Sequence, residues 1–529
     1  MEEASQSICG LEFDDTPTRT TLFGALVAAR KTHGGRKVIL EDQERNPYTY
    51  NRLILSSLVL GRKLAELTET RERVGVLLPT AAVTAVVFFG LNAFGRIPAM
   101  LNFTSGTRNL QAACESAGVR TIVTSRRFVE HGHMEDIVSA LSPRCRMVWL
   151  EDVAATVSSL DKMAGVFNLW RVERIHARYR SMPDDEAVIL FTSGSEGVPK
   201  GVVLSNANLI ANALQILQHA GAYITPADIM FDTLPVFHAF GLTAGLLLGL
   251  YGGCKVILYV SPLHYKQIPK LIAATGATFV FSTDTFIQHY AKAAGRENMS
   301  SVRYAVAGAE AVRPPTRKAW QPYNAVILEG YGATECSPVI AVNLPGKMRD
   351  GTVGTLLPGI EAETVPVEGV QDGGRLRVRG PNVMQGYVSP DSRDRLAPPE
   401  DGWYDTGDIV AFDGDGFITI KGRAKRFAKI GGEMVSLAAV EAMALGLWPD
   451  AMHAAVALPD AHRGEQIVLL TTQPDADREA LLKYAQSVGF PELCVPKGLL
   501  VVDSIPLTGM GKTDYIEAAR RAESLKAML

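Results

Sequence analysis

At 529 residues, with 47% apolar and 21% charged side chains, the chain carries more apolar surface than one core holds, so two or more domains are expected. A net charge of −3, with Lys and Arg scattered among Asp and Glu, excludes electrostatic support for a nucleic-acid partner. The six cysteines (Cys9, Cys114, Cys145, Cys254, Cys336, Cys494) form no Cys-x-x-Cys pair, which is the usage of a reducing compartment without a zinc site or disulfide frame.

The segment Met1–Asp15 is acidic and lacks the basic-then-apolar order of a signal peptide. Val- and Ile-rich runs then alternate with helical spacing. Arg73–Leu78, Arg120–Thr124, Met147–Leu150, Ala187–Phe191, Lys255–Tyr259, Thr278–Ser282, Tyr304–Ala307 and Ala325–Glu329 are predicted strands, and Tyr50–Leu67 and Asn206–His219 predicted helices. That alternation predicts βαβ units with largely parallel sheets. Ala81–Leu101, broken by Asn92, Arg96 and Pro98, and Ala239–Val260, with its glycines and Lys255, are too interrupted for membrane spans. The protein is therefore expected to be cytoplasmic, with no transmembrane segment; peripheral contact at the inner face of a membrane stays open.

After about Gly351, Gly-Gly and Asp-Gly turns separate short alternating runs such as Arg375–Arg379 and Phe417–Lys421, a pattern of antiparallel hairpins. After Gly422 the pattern becomes α+β: Leu437–Leu447 and Arg478–Val488 helical, with Ala454–Pro459, Gln466–Thr472 and Leu499–Asp503 as strands. The expected domains are 1–421 and 422–529, joined at the basic segment Gly422–Lys429.

The stretch Phe191–Gly201 places Thr192, Ser193, Gly194, Ser195, Glu196, Gly197 and Lys200 directly behind an apolar run. A glycine-rich turn leaving a strand aims backbone N–H groups and hydroxyls into one hollow, the means of holding a polyphosphate. Its spacing is not Gly-x-x-x-x-Gly-Lys-Ser/Thr, so a Walker fold is not implied.

Five further segments follow: Pro235–Gly241 around His238; Gly330-Tyr331-Gly332-Ala333-Thr334-Glu335; Trp403–Asp408; the basic run Lys421–Glu433; and Pro506–Asp514 around Lys512. On residue type alone, His238 reads as a packed core histidine and Lys512 as a surface charge. A single Asp accepts hydrogen bonds from both ribose hydroxyls, and a lone Glu beside phosphate oxygens suits Mg²⁺. Cys336 is read as a small buried cysteine rather than a nucleophile.

In order and together, these segments resemble the adenylate-forming (AMP-binding) superfamily of acyl-CoA synthetases, luciferases and peptide-synthetase adenylation domains. The resemblance implies an α/β fold: two α/β subdomains plus a small β-barrel-like one, then a small mobile α+β C-terminal domain. It implies ATP and Mg²⁺, with Thr192–Gly197 on the leaving pyrophosphate, Lys200 aiding loop closure, and Glu335 as the metal ligand. Thr334 would contact the α-phosphate, Tyr331 would stack near the adenine, and Gly308, Ala309 and Glu310 would pass along the adenine and the acyl tunnel. His238 would border the acyl pocket. Asp408 would fix the ribose, Arg423 would meet ribose and phosphates, and Lys425 would be the hinge. Gly431 and Gly432 would line the pantetheine tunnel, and Lys512 would be the catalytic lysine.

Glu196 and the phrases Tyr304–Glu310, Gly380–Tyr387 and Arg423–Glu441 narrow the resemblance to the acyl-ACP synthetase half of bacterial acyltransferase/acyl-ACP synthetase proteins, over roughly Thr20 to Tyr515. This chain would be the synthetase alone. The implied activity is a fatty acid ligase: fatty acid and ATP give acyl-adenylate and pyrophosphate, then the phosphopantetheine thiol of acyl carrier protein takes the acyl group. Arg423, Lys425, Arg426 and Lys429 would offer that acidic partner a basic landing edge. Two alternatives stay open, a fatty acyl-CoA synthetase and a non-catalytic acyl-nucleotide sensor. The sensor would be marked by loss of Glu335, Asp408 or Lys512, and all three are present.

Overall fold

The computed structural model describes all residues except 1–6, 170, 194–198, 369, 371, 389–395, 431–432, 461–463, 508–512 and 527–529. Among the described residues the strands form four sheets. In the seven-stranded sheet, Glu186–Ser193, Ile97–Met100, Arg73–Val76, Thr121–Thr124 and Arg146–Trp149 run parallel in that spatial order. Pro199–Ser205 and Gly386–Val388 extend it antiparallel at one edge. In the nine-stranded sheet, Lys255–Leu258, Ile229–Asp232, Phe279–Ser282, Tyr304–Ala307 and Val326–Gly332 are parallel neighbours. The expected strands thus form, most with ends displaced by a few residues, and the parallel core follows from helical crossovers.

One apolar core spans both sheets. It takes Val74 and Val188 from the first, Leu40 and Val256 from the second, and the inner faces of the helices Leu22–His33, Tyr50–Leu67, Ala82–Ala93 and Asn206–Ala220. Thr49 caps Tyr50–Leu67 by accepting from the Arg52 N–H. This helix touches Ala82–Ala93 backbone to backbone: a Cβ on Gly61 would lie 2.5 Å from the Gly90 carbonyl oxygen. Ala82–Ala93 is buried on nearly every side, which is why its sequence mimics part of a membrane span. No helix among the described residues is long and apolar enough to cross a membrane.

The apolar stretch after His238 forms a π-helix, Phe240–Leu247, followed by the α-helix Leu248–Gly252. Its glycines let it press on the strand Ile229–Asp232: a Cβ on Gly245 would lie 2.1 Å from Asp232 Oδ2. That close approach requires glycine.

The third sheet is five-stranded and antiparallel, with Gly374–Arg379, Tyr404–Phe412 and Ile418–Arg423 as successive neighbours. The chain leaves it at Arg423, passes a 3₁₀ turn at Ala424–Arg426, and enters the fourth sheet at Phe427–Ile430. The helices Leu437–Leu447 and Arg478–Val488 cover one face of this last sheet, and Tyr515–Lys526 covers the other through Ala518 and Ala522.

Candidate active site

The strand Glu186–Ser193 delivers Thr192 and Ser193 to its C-terminal end, and the chain returns antiparallel along Pro199–Ser205, with Thr192 opposite Lys200. Gly194, Ser195, Glu196 and Gly197 lie outside the described residues. The return strand pairs in turn with Gly386–Val388, which sets Tyr387 opposite Val202. The Lys200 ammonium sits 5.3 Å from the Tyr387 ring centroid. Lys200 is exposed, so it is free to reach toward an anion.

Tyr387 links this hairpin to the Gly-Tyr-Gly segment. Its hydroxyl donates to Glu335 Oε1 at 2.7 Å, and the Met384 N–H donates to the Glu335 carbonyl at 2.7 Å. Glu335 is buried, on a 3₁₀ turn from Thr334 to Cys336 directly after the strand Val326–Gly332. Burial first, then the Glu335 carboxylate, pushes the Tyr387 phenol up, so it remains a donor. Asn382 Nδ2 donates to the Cys336 carbonyl at 2.7 Å and locks the turn. Cys336 is fully buried, and desolvation holds its thiol well above the usual range, which removes it as a nucleophile.

A second carboxylate, Asp408, meets the same segment four residues before Glu335, at Tyr331. Tyr331 donates to Asp408 Oδ2 at 2.6 Å, and Arg423 Nε lies 3.1 Å from Asp408 Oδ1. The register explains the trio, since Asp408 on Tyr404–Phe412 is paired directly with Arg423 on Ile418–Arg423. Asp408 is buried whereas Arg423 is exposed. Burial raises the Asp408 carboxyl, against the lowering by Arg423 and by the Tyr331 hydrogen bond. A buried anion with one neutral donor and one outward cation has acceptor capacity left for hydroxyl groups.

The segment around His238 packs among aromatics. His238 is half-buried, its ring centroid 4.8 Å from that of Phe237, which in turn meets Phe103 at 4.9 Å. Phe240 covers Gly308, where a Cβ would lie 2.8 Å from Phe240 Cε1, and meets Phe281 at 6.2 Å. Ala309 follows with φ 71°, a left-handed residue that turns the chain out of its strand. Glu310 is pulled back to the helix Asp284–Ala293, accepting from the Thr285 N–H at 3.3 Å and hydroxyl at 3.0 Å. Burial raises its carboxyl.

Over residues 27–388 the sequence matches the AMP-binding enzyme family, more than half of the chain. The chain belongs to that family. Among curated proteins, this AMP-binding enzyme is similar to the long-chain-fatty-acid–CoA ligase of Escherichia coli O157:H7, at 27% identity over 83% of this chain and 84% of that one. It is also similar to 4-coumarate–CoA ligase 3 of Oryza sativa subsp. japonica, at 26% identity over 90% and 88%. Among solved structures, ATP-bound MatB from Rhodopseudomonas palustris shares the fold with a TM-score of 0.79 and 23% identity, over 95% of this chain and 99% of that one. The AMP-binding fold expected from sequence is therefore the fold observed.

Gly431, Gly432 and Lys512 lie outside the described residues. Lys425 is exposed on the 3₁₀ turn where the chain changes sheets. One sequence reading needs correction. Arg426 does not face outward as part of a basic edge; it donates to Glu441 Oε1 at 2.8 Å and lies 3.3 Å over the Tyr515 ring. Asp405 lies inside the strand Tyr404–Phe412, and its Oδ1 accepts from the Gly407 N–H at 2.9 Å as a turn Asp does. Tyr387 was missing from the predicted site. The signal was its place two residues past Gln385, in a short run that pairs with the strand carrying Lys200, and pairing across the chain is not visible in a single sequence.

Proposed function

We propose that this AMP-binding enzyme activates a fatty acid. A carboxylate oxygen attacks the α-phosphorus of ATP, the bond to the bridging oxygen of pyrophosphate breaks, and acyl-adenylate remains. A phosphopantetheine thiolate then attacks the acyl carbon and AMP leaves, giving a thioester. The reading is carried by the buried Asp408 with Tyr331 and Arg423 at its two oxygens, Tyr331 standing four residues before Glu335 on the strand that leads into the Glu335 turn.

In this proposal Asp408 accepts from the ribose hydroxyls, and Tyr331, fixed by that same carboxylate, offers its ring to the adenine. Arg423 reaches outward toward ribose and phosphates. Thr192, Ser193 and the loop that follows hold the leaving pyrophosphate, with Lys200 drawn to it from the return strand. Thr334 contacts the α-phosphate, His238 and Phe240 border the acyl chain, and Gly308 and Ala309 give the backbone wall between adenine and acyl group. Lys512 stabilises charge on the α-phosphate in the first step. Rotation about Lys425 withdraws it and brings Gly431 and Gly432 to the thiol.

Mg²⁺ fits the donor set present. No group of three or more His, Cys, Asp or Glu among the described residues can hold a metal. One carboxylate, Glu335, is oriented by Tyr387 through only one of its oxygens, and Mg²⁺ commonly takes one or two carboxylates with its other ligands from phosphates and water. Bound there, it would neutralise phosphate charge.

The acceptor is proposed as a phosphopantetheine thiol, on coenzyme A or on acyl carrier protein. The names of the relatives favour coenzyme A; the segments Tyr304–Glu310, Gly380–Tyr387 and Arg423–Glu441 favour the carrier protein. Withdrawal of Arg426 onto Glu441 and Tyr515 weakens the basic-edge argument for the carrier. Pyrophosphate release across fatty acids of increasing length, with coenzyme A and holo-carrier protein compared in one assay, tests this. Thioester product with either thiol supports the reading, and the preferred thiol names the acceptor. Pyrophosphate release that depends on no fatty acid refutes it.

A further inference from the structure

The segment from Ser159 to Asp185 carries a charge imbalance that acyl activation does not use. Its first helix, Ser159–Leu169, rests on Tyr50–Leu67 through Gly165, where a Cβ would lie 2.6 Å from Leu55 Cδ1. The next, Val172–Ala177, is pinned on its inner side. Val172 is buried, His176 Nδ1 donates to the Ala93 carbonyl at 2.9 Å, and His176 Nε2 takes the Thr21 hydroxyl at 2.6 Å. Tyr179 packs edge-on against Phe94.

With those residues turned inward, helical spacing sends Arg171, Arg174 and Arg178 outward, and all three are exposed, as is Arg180 beyond them. The carboxylates of the segment are already engaged. Asp161 is held by Lys63 at 3.4 Å, Glu173 by Lys31, Asp184 by Arg19 at 2.5 Å and Asp185 by Arg71 at 2.9 Å. Among the described residues no ion pair reaches any of the four arginines. The same segment exposes large apolar side chains: Leu160 at 75%, Met163 at 60% and Met182 at 60%.

Arginines without an ion pair among the described residues, in one segment with exposed Leu and Met on a chain whose net charge is only −3, make that segment's outer side cationic and apolar. We propose that the outer surface of this segment docks the enzyme on an anionic lipid bilayer, the arginines meeting headgroup phosphates and Leu160 and Met163 entering the headgroup boundary. The apolar side chains favour lipid over an acidic protein, for which charge alone would suffice. The docking face lies at the opposite end of the seven-stranded sheet from the candidate active site. The strand Glu186–Ser193 begins beside Asp185 and ends at Thr192 and Ser193, and its eight residues span about 25 Å. Docking therefore leaves the nucleotide cleft uncovered.

The test is flotation of the full chain with vesicles of pure phosphatidylcholine and of equal parts phosphatidylcholine and phosphatidylglycerol. The expected result is partition at least about tenfold stronger onto the anionic vesicles, falling with added salt. The triple variant Arg171→Glu, Arg174→Glu, Arg178→Glu should lose about tenfold or more, and Leu160→Ser with Met163→Ser a smaller factor. Pyrophosphate release with a short water-soluble acid shows that the variants remain folded and active. Equal partition onto both vesicles overturns the proposal, as does wild-type partition of the triple variant. Capture of an acidic carrier protein without vesicle partition also overturns it.

Discussion

Replacing Asp408 by Asn separates binding from stability, because the two rest on different properties of one side chain. The amide oxygen still accepts from Tyr331, so the buried 2.6 Å bond keeps an acceptor. The attraction of Arg423 is lost, but the arginine side chain is 71% exposed, and such a pair is worth about 0–1 kcal/mol after screening. Against this stands the cost of burying the anion, the largest influence on the Asp408 carboxyl, which raises it. The unliganded variant should therefore unfold within about 1 kcal/mol of wild type, or slightly higher.

Nucleotide binding should respond in the other direction. An amide in place of the carboxylate weakens hydrogen bonds to the ribose by about 1.5–3 kcal/mol, roughly 10- to 150-fold in Kd. Denaturant unfolding at neutral pH and calorimetric titration with ATP measure the two quantities. The sign of the pH dependence follows from the raised carboxyl. Its contribution to stability is present below the unfolded pKa and is lost as pH rises through the folded one. That part of the slope should vanish in Asp408→Asn. A loss of more than about 2 kcal/mol of stability with unchanged ATP affinity would instead make Asp408 a structural anchor with no part in holding the ribose.

Glu335→Gln keeps an acceptor for Tyr387 but removes the charge, and adenylation should fall about 10²-fold or more with little change in folding, read by pyrophosphate release against thermal unfolding. Arg426→Ala strands Glu441 in a half-buried site and removes the cation over Tyr515, costing about 3 kcal/mol in the C-terminal region; amide hydrogen exchange in Leu437–Leu447 and Tyr515–Lys526 should rise. Gly308→Ala forces Phe240 to move, since the new Cβ would lie 2.8 Å from its ring, and should change KM for the fatty acid more than KM for ATP in steady-state assays. Lys512→Ala should abolish adenylate formation yet spare thioester formation from supplied acyl-adenylate, and Lys425→Pro should do the reverse; equal loss in both half-reactions contradicts these roles.

Most of the parallel strands were legible because they are short, largely buried apolar runs, which leave a nearly continuous apolar signature; Ile97–Met100 and Ile229–Asp232 were not singled out as strands. Tyr50–Leu67, Leu437–Leu447 and Arg478–Val488 match their predicted bounds because caps and periodicity agree there. Other features depend on contacts distant in sequence. Tyr387 meets Glu335 across 52 positions, and Arg426 meets Tyr515 across the C-terminal sheet. The π-helix Phe240–Leu247 was read only as an interrupted apolar stretch, since its glycines report a close approach to Ile229–Asp232 that periodicity does not encode. In the site, Glu335, Asp408 and Tyr331 were named from sequence, whereas Tyr387 and the hydrogen bonds by which the two tyrosines orient both carboxylates emerged only from the fold.

Everything proposed for this site requires the chain to make an acyl-adenylate. Incubation with ATP, Mg²⁺ and a fatty acid in the absence of any thiol, followed by mass spectrometry of enzyme-bound nucleotide, tests it most directly. Acyl-AMP with one equivalent of pyrophosphate is expected, converted to AMP and thioester when a phosphopantetheine thiol is added. Release of ADP and phosphate, or recovery of ATP unchanged with every acid tried, would contradict it.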